Sequence, residues 1–209
     1  MCAREVLRFF EELQSWVSDA VRGYDAPLGH VRRVCAVDAA YGDDVMAGAA
    51  VVWSVGERRV LEGRTYLCEP PFPYVPGLLF LREAPALFAA VELLSSSWDV
   101  LLVDAHGRAH PREAGMATFL GAALRKPTVG IAKKLLAGVA GEFTDSMAPI
   151  ILNNKTVGYA VKPRSGKSYY ISPGYGVRLE DVPALVAVFN YEYPEPLREA
   201  DKLARSTLT

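Results

Sequence analysis

The sequence predicts a single α/β domain built on a mixed β-sheet flanked by helices, and three observations carry that reading. First, Val31–Ala40 and Val45–Val55 are Val- and Ala-rich stretches, and short turns part them from each other and from a third strand at Arg59–Leu67, the pattern of an antiparallel meander. Second, the unbroken apolar runs Val100–Val103 and Thr128–Ala132 enclose a helix of small residues, which implies parallel strands joined by a right-handed crossover. Third, a chain of 209 residues, 51% hydrophobic and 22% charged, can bury one sizeable core without disulfides.

The elements follow in order. Val6, Phe9, Phe10, Leu13, Trp16, Val17 and Ala20 have helical apolar spacing, and Gly23 with the Pro27–Gly29 turn ends that helix. Gly42-Asp43-Asp44 and Gly56-Glu57 are the turns of the meander. Four prolines between Glu69 and Gly77 exclude a helix or a central strand, yet the segment is too apolar for a disordered linker, so an ordered, semi-rigid loop is expected. Leu78–Arg82 is short and apolar, and Ala84–Leu94 reads as a helix with Pro85 in its first turn. Glu113–Leu124 is the small-residue helix, broken by Lys126-Pro127. Ile150–Leu152 and Val157–Val161 flank Asn153-Asn154 as a late hairpin, and Tyr169–Ser172 follows. Leu179–Phe189 and Glu195–Ala204 close the fold as helices.

Met1–Glu12 lacks the apolar core of a signal peptide, and no stretch reaches membrane-spanning length, so a cytoplasmic protein is expected. The three cysteines, Cys2, Cys35 and Cys68, are widely spaced and form no C-x-x-C pair, which favours neither a disulfide framework nor a zinc knuckle. Cys35, inside Val34–Val37, reads as a small buried hydrophobe. The net charge of −1 argues weakly against a nucleic-acid partner. Its distribution argues the other way. Acids are absent from Ala114 to Gly141 and from Ser146 to Leu179, where Arg125, Lys126, Lys133, Lys134, Lys155, Lys162, Arg164, Lys167 and Arg178 stand. On charge alone, a solvated face explains this as well as a phosphate-binding one does.

Asp38, in Val37-Asp38-Ala39-Ala40-Tyr41, and Asp104, in Val103-Asp104-Ala105-His106-Gly107, each end an apolar strand. Such carboxyl edges are where open α/β sheets collect ligands. A carboxylate in that setting costs on the order of several kcal/mol unless it is paired or bound to a cation. Two on adjacent strands repel unless a cation lies between them. Glu83 adds a third acid at the start of a helix, where an acid is also routine for helix-dipole reasons. Oxygen ligands of this kind suit Mg²⁺, with Mn²⁺ as a substitute, and fit phosphodiester hydrolysis by an activated water. Lys133 ends the Thr128–Ala132 strand on the same edge, placed to hold a phosphate. His106 and His110 follow Asp104 closely and fit either a phosphate-orienting or a loop-stabilising role. Tyr74, on the proline-rich loop, fits either a wedge between stacked bases or a cover for the core.

Taken together these segments resemble the endonuclease V family of nucleases acting at deaminated purines. Val37-Asp38-Ala39-Ala40-Tyr41 is similar to its V-D-V-S-Y, Pro73-Tyr74-Val75-Pro76-Gly77 to P-Y-I-P-G, and Leu81-Arg82-Glu83-Ala84-Pro85 to F-R-E-A-P. Val103–Pro111 resembles V-D-G-H-G-I-A-H-P, and Thr128–Lys133 resembles T-I-G-V-A-K. Ser172-Pro173-Gly174 and Pro194-Glu195-Pro196-Leu197-Arg198 resemble S-P-G-H and P-E-P-T-R, so the matches run in order from about Val34 to Asp201. Ala105 departs from the family's glycine, Tyr175 from its histidine and Leu197 from its threonine.

The resemblance implies a ribonuclease H-like fold over residues 1–209 and a Mg²⁺ site with Asp38 and Asp104 as direct ligands. Glu83 would join through water, and Asp201 is a further candidate. Lys133 and His110 would act at the phosphate. Tyr41, Pro73, Tyr74, Val75, Pro76, Gly77, Ala105 and Gly107 would contact nucleic acid. The implied activity is DNA repair by nicking the second phosphodiester bond 3′ to a deaminated base such as deoxyinosine, leaving 5′-phosphate and 3′-hydroxyl ends. An inosine-directed ribonuclease and a non-catalytic nucleic-acid-binding protein are the alternatives. A monomer is expected, and the number of metal ions is left open.

Overall fold

The computed structural model describes residues 4–209, so Met1–Ala3, and with them Cys2, lie outside the described residues. Helix α1 spans Arg4–Val21, with Gln14, Val17, Ser18 and Val21 turned inward. Then β1 (Arg33–Tyr41), β2 (Met46–Ser54) and β3 (Arg59–Cys68) form the expected meander. Helix α2 (Leu79–Glu92) leads to β4 (Val100–Val103), α3 (Met116–Leu124) and β5 (Thr128–Ala132). The second half adds β6 (Val139–Ala140), β7 (Met147–Leu152), β8 (Lys155–Val161) and β9 (Tyr169–Pro173), then α4 (Val182–Val188) and α5 (Glu195–Ser206).

Among the described residues the strands form one nine-stranded sheet in the order β3-β2-β1-β4-β5-β9-β8-β7-β6. The pairs β1–β4 and β4–β5 are parallel, and every other neighbouring pair is antiparallel. Strands β4 and β5 are buried on both faces, which is why their runs carry no alternation.

Side-chain alternation splits the core into two layers. Val34, Ala36, Leu102, Val129 and Ile131 pack with Leu185 of α4 and Leu197 and Ala200 of α5. Cys35, Val37, Leu101 and Val103 face the other way, onto Leu87 and Ala90 of α2 and Met116 and Leu120 of α3. No helix among the described residues is long and apolar enough to cross a membrane.

The structure moves several expected boundaries. Leu78–Arg82 and the following helix are one element. Pro85 is therefore interior to α2, and Glu83 lies in its second turn, not at its start. The apolar positions on both sides of Pro85 share one buried face, and that packing outweighs the lost backbone hydrogen bond. Helix α3 begins at Met116, because Glu113 has a φ of 50° that no α-helix accommodates. Leu179–Asp181 is a 3₁₀ turn ahead of a shorter α4. Asp38 is the sixth residue of nine in β1, not its end. What ends there is the ladder with β4, whose last rung is Val37↔Val103.

Candidate active site

Past that last rung β1 runs on along β2 alone while β4 stops, and the gap places Asp38 and Asp104 side by side. The Asp104 amide donates to the Val37 carbonyl at 3.2 Å, tying the two strands at the point where they part. Asp38 continues the alternation of Val34 and Ala36, and Asp104 that of Leu102, so both carboxylates emerge on the α5 side of the sheet. Asp38 accepts a hydrogen bond from the Ala39 amide at 2.8 Å. Burial, and then the charge of Asp104, push its carboxyl well above the usual carboxylate range.

Lys133, one residue past β5, forms an ion pair with Asp104 while keeping 62% of its side chain exposed. Burial works against its charge, but the hydrogen bond and charge of Asp104, with Asp38 and Asp201 behind, carry its pKa above the ordinary lysine value. One ammonium thus faces two carboxylates, which leaves the cluster short of positive charge.

Glu83 reaches the same edge from α2, in the opposite layer. Burial raises its pKa, Tyr41 counters this by donating a hydrogen bond to Oε1 at 2.6 Å, and the charge of Asp104 raises it further. The Arg82 guanidinium stacks over the Tyr41 ring at 4.7 Å. Asp201 stands on α5, accepting from Arg205 Nε at 2.7 Å. Among the described residues no three His, Cys, Asp or Glu side chains converge in a metal-holding arrangement. Glu83 and Asp201 are turned to Tyr41 and Arg205 instead.

A cavity of about 350 Å³ opens on the α2–α3 side of the sheet, against the loop that follows Asp104. Tyr74, Pro76 and Gly77 line one wall and Ala105, His106 and His110 another. Its size lies in the range of small-ligand sites. The first wall is a tight turn: the Leu78 amide donates to Val75 at 2.9 Å, with Pro76 and Gly77 between them. Gly77 has a φ of 80°, which with a preceding proline is a type II turn that only glycine fills without strain. Arg82 Nη1 pins the loop's start by donating to the Phe72 carbonyl at 2.7 Å. Tyr74 projects from this loop, 65% exposed, and does not cover the core.

The second wall is the loop after Asp104. It lies directly on β5, where a Cβ at Gly130 would fall 2.2 Å from the Gly107 nitrogen. The Gly107 amide is held by Ser172 Oγ at 3.1 Å and the Arg108 amide by the Pro173 carbonyl at 2.8 Å. Ala105 is buried, and its methyl faces the cavity's layer. His106 Nδ1 is buried without a hydrogen-bond partner, and burial lowers that imidazole's pKa. His110 bonds with Gly77 and Arg112, not with any of the acids.

The structure therefore brings Asp38, Asp104 and Lys133 into contact, places Glu83 and Tyr41 at their edge, and sets Asp201 behind Lys133. Pro73, Val75 and Gly107 fall on the two loops beside the cavity. Three residues that the sequence pattern passed over also belong here. Tyr193 buries its hydroxyl without a partner beside Asp104 and Asp38, and its ring lies 5.6 Å from Lys133 Nζ and 5.7 Å from Arg198 Cζ. Gln14 and Arg112 reach Gly77. No local signal marks any of them, since each is polar or aromatic in a segment that reads as ordinary surface.

The family model for endonuclease V matches residues 15–202. An endonuclease V of Desulfurococcus amylolyticus is 37% identical over 179 residues, covering 84% of this chain and 81% of its own length. The crystal structure of endonuclease V from Streptomyces avermitilis is 34% identical with a TM-score of 0.86, covering 100% of this chain and 94% of that one. Endonuclease V of Ciona intestinalis shares the fold at 24% identity and a TM-score of 0.86, over 98% of each chain. That structure is a complex with a 24mer DNA containing an inosine followed by a ribo-adenosine.

Proposed function

This chain belongs to the endonuclease V family, and from that membership we propose that it is a metal-dependent endonuclease that nicks DNA at deaminated bases such as deoxyinosine. The observation that carries the proposal is the pair Asp38 and Asp104, adjacent, largely buried and matched by a single lysine. Two carboxylates with so little compensating charge fit a divalent cation, whose positive charge would relieve both the burial and the mutual repulsion.

Asp38 and Asp104 would hold Mg²⁺, or Mn²⁺ in its place, with Glu83 joining through a water and Asp201 as a further candidate. When bound, the ion supplies charge neutralisation at the scissile phosphate and acidifies a water. The chain's own groups do the rest. Lys133, half in solvent, can swing from Asp104 to a phosphate oxygen and balance the charge that develops there. Tyr41 holds Glu83 at the edge of the acid pair. Tyr74, exposed on its stiff turn, enters the duplex as a wedge, and the displaced base occupies the cavity between Gly77 and Ala105. The inosine-containing DNA held by the Ciona relative supports this choice of substrate. Cutting falls at the second phosphodiester bond 3′ to the base and leaves 5′-phosphate and 3′-hydroxyl ends, the protein working as a monomer in the cytoplasm.

The ribo-adenosine beside the inosine in the Ciona complex favours a second reading, cleavage of inosine-containing RNA. One experiment separates the two. The purified protein with Mg²⁺ is given matched inosine DNA and inosine RNA, in parallel with Asp104→Asn. Faster nicking of the DNA, abolished in the variant, is the expected result. A preference for RNA selects the second reading, and full activity in Asp104→Asn overturns the metal-site assignment.

A further inference from the structure

Gln14 is a polar side chain in the first helix with no solvent exposure, far in sequence from every residue of the active site. Its Nε2 donates to the Gly77 carbonyl at 2.9 Å and to the Ala114 carbonyl at 2.9 Å. Its Oε1 accepts from Arg112 Nε at 2.6 Å. Arg112 Nη2 reaches the same Gly77 carbonyl at 3.2 Å, and His110 Nε2 lies 3.1 Å from it. A carbonyl oxygen has two lone pairs. Three side-chain nitrogens converge on that one oxygen, more than its lone pairs need, and restrain the peptide at the turn where Gly77 already sits in a left-handed conformation. The latch joins opposite walls of the cavity, because Gly77 belongs to the Tyr74 loop while His110, Arg112 and Ala114 belong to the segment that follows Asp104.

We propose that Gln14 and Arg112 are positioning residues for recognition of the damaged base: they lock the Gly77 peptide, and with it the Tyr74 turn, in the conformation that receives the displaced base. The inference rests on the reading of the cavity as the base site. A turn held in its binding form before the substrate arrives loses no further entropy on binding. Loosening it therefore acts on substrate binding and base discrimination, and leaves the bond-breaking acids as they were.

The test uses the full chain with Gln14→Glu, which keeps the side chain's size and its acceptor toward Arg112 but removes both donors, and with Arg112→Lys as a second, milder break. Nicking of inosine and undamaged duplexes is measured at saturating Mg²⁺, with amide hydrogen exchange of the free proteins alongside. Each variant is expected to raise KM for the inosine duplex roughly ten- to hundredfold, the scale of a lost buried hydrogen bond, with kcat nearly unchanged. Exchange should quicken over residues 74–78 and stay unchanged in β4 and β5. Unchanged KM with unchanged loop exchange overturns the inference, as does faster exchange spread over the whole sheet, which would make Gln14 a general core residue. A wild-type protein that nicks no inosine substrate overturns the endonuclease reading instead. The exchange pattern then still reports whether the latch holds the turn.

Discussion

His110 makes a sharp test of how this site is built. Its side chain is 3% exposed and lies between the Gly77 carbonyl and the Arg112 amide. Burial first, and then the charge of Arg112, hold its pKa down from 6.5 to about 4. The folded protein thus refuses a proton that the unfolded chain accepts. The sign follows: this contribution to stability is complete above 6.5, shrinks as the pH falls, and is gone once the pH is below about 4. The gap corresponds to about 3 kcal/mol, a large share of the roughly 5–15 kcal/mol that holds a domain together. His110→Gln removes the titration while keeping a donor for Gly77 and an acceptor for Arg112. Urea unfolding, followed by the fluorescence of Trp16, Trp53 and Trp98, measures stability at both ends of this range. Wild type should lose about 3 kcal/mol more than His110→Gln on acidification. Equal losses would refute the reasoning, because no buried, proton-refusing imidazole would then exist at this position.

Two further perturbations separate chemistry from scaffold. Asp38→Asn keeps the acceptor for the Ala39 amide but removes a buried acid whose ionisation burial and Asp104 both oppose. Calorimetry without metal should show a thermal midpoint several degrees higher, on the order of 1–2 kcal/mol of relief, while a gel assay shows nicking lost. Tyr74→Ala, at an exposed loop position, should shift stability by no more than about 0.5 kcal/mol. It should nevertheless weaken binding to an inosine duplex at least tenfold in a fluorescence-anisotropy titration, the scale of losing one base-stacking aromatic at about 1–3 kcal/mol.

The parts of this protein that the sequence foretold are those fixed by burial on a regular period. Val100–Val103 and Thr128–Ala132 were legible to the residue because a strand covered on both faces leaves a run with no alternation. Asp38 and Asp104 stood out for the same reason, as charges set against apolar runs. Glu83 was legible as an acid but misplaced. A proline in Leu81-Arg82-Glu83-Ala84-Pro85 looks like the first turn of a helix, and only the packing of Phe80 and Leu87 on one core shows the helix running through it. The β6 pairing of Val139 and Ala140 could not be read, since two exposed residues carry no periodic signal. Gln14 was illegible for a deeper reason. A glutamine within an amphipathic helix looks like its wet face, and its burial here depends on Arg112, 98 residues away. Tyr193 likewise owes its place to Lys133 and Arg198 closing over its ring.

If the acid pair cuts and the cavity holds the base, as proposed above, the division of the core into two layers bears on where that cut falls. The acid pair emerges on the α5 side of the sheet, while the cavity of Gly77 and Ala105 opens on the α2–α3 side. A nucleic-acid strand touching both has to bend around the carboxyl edge of β1, β4 and β5, as a ribbon passes over a table's rim. The spacing from lesion to cleaved bond would then be a caliper setting, fixed by the sheet's thickness and by two strapped loops. On the proposed reading a base entering the cavity would meet jaws already set, and widening the range of lesions accepted would leave the register of the cut where it was.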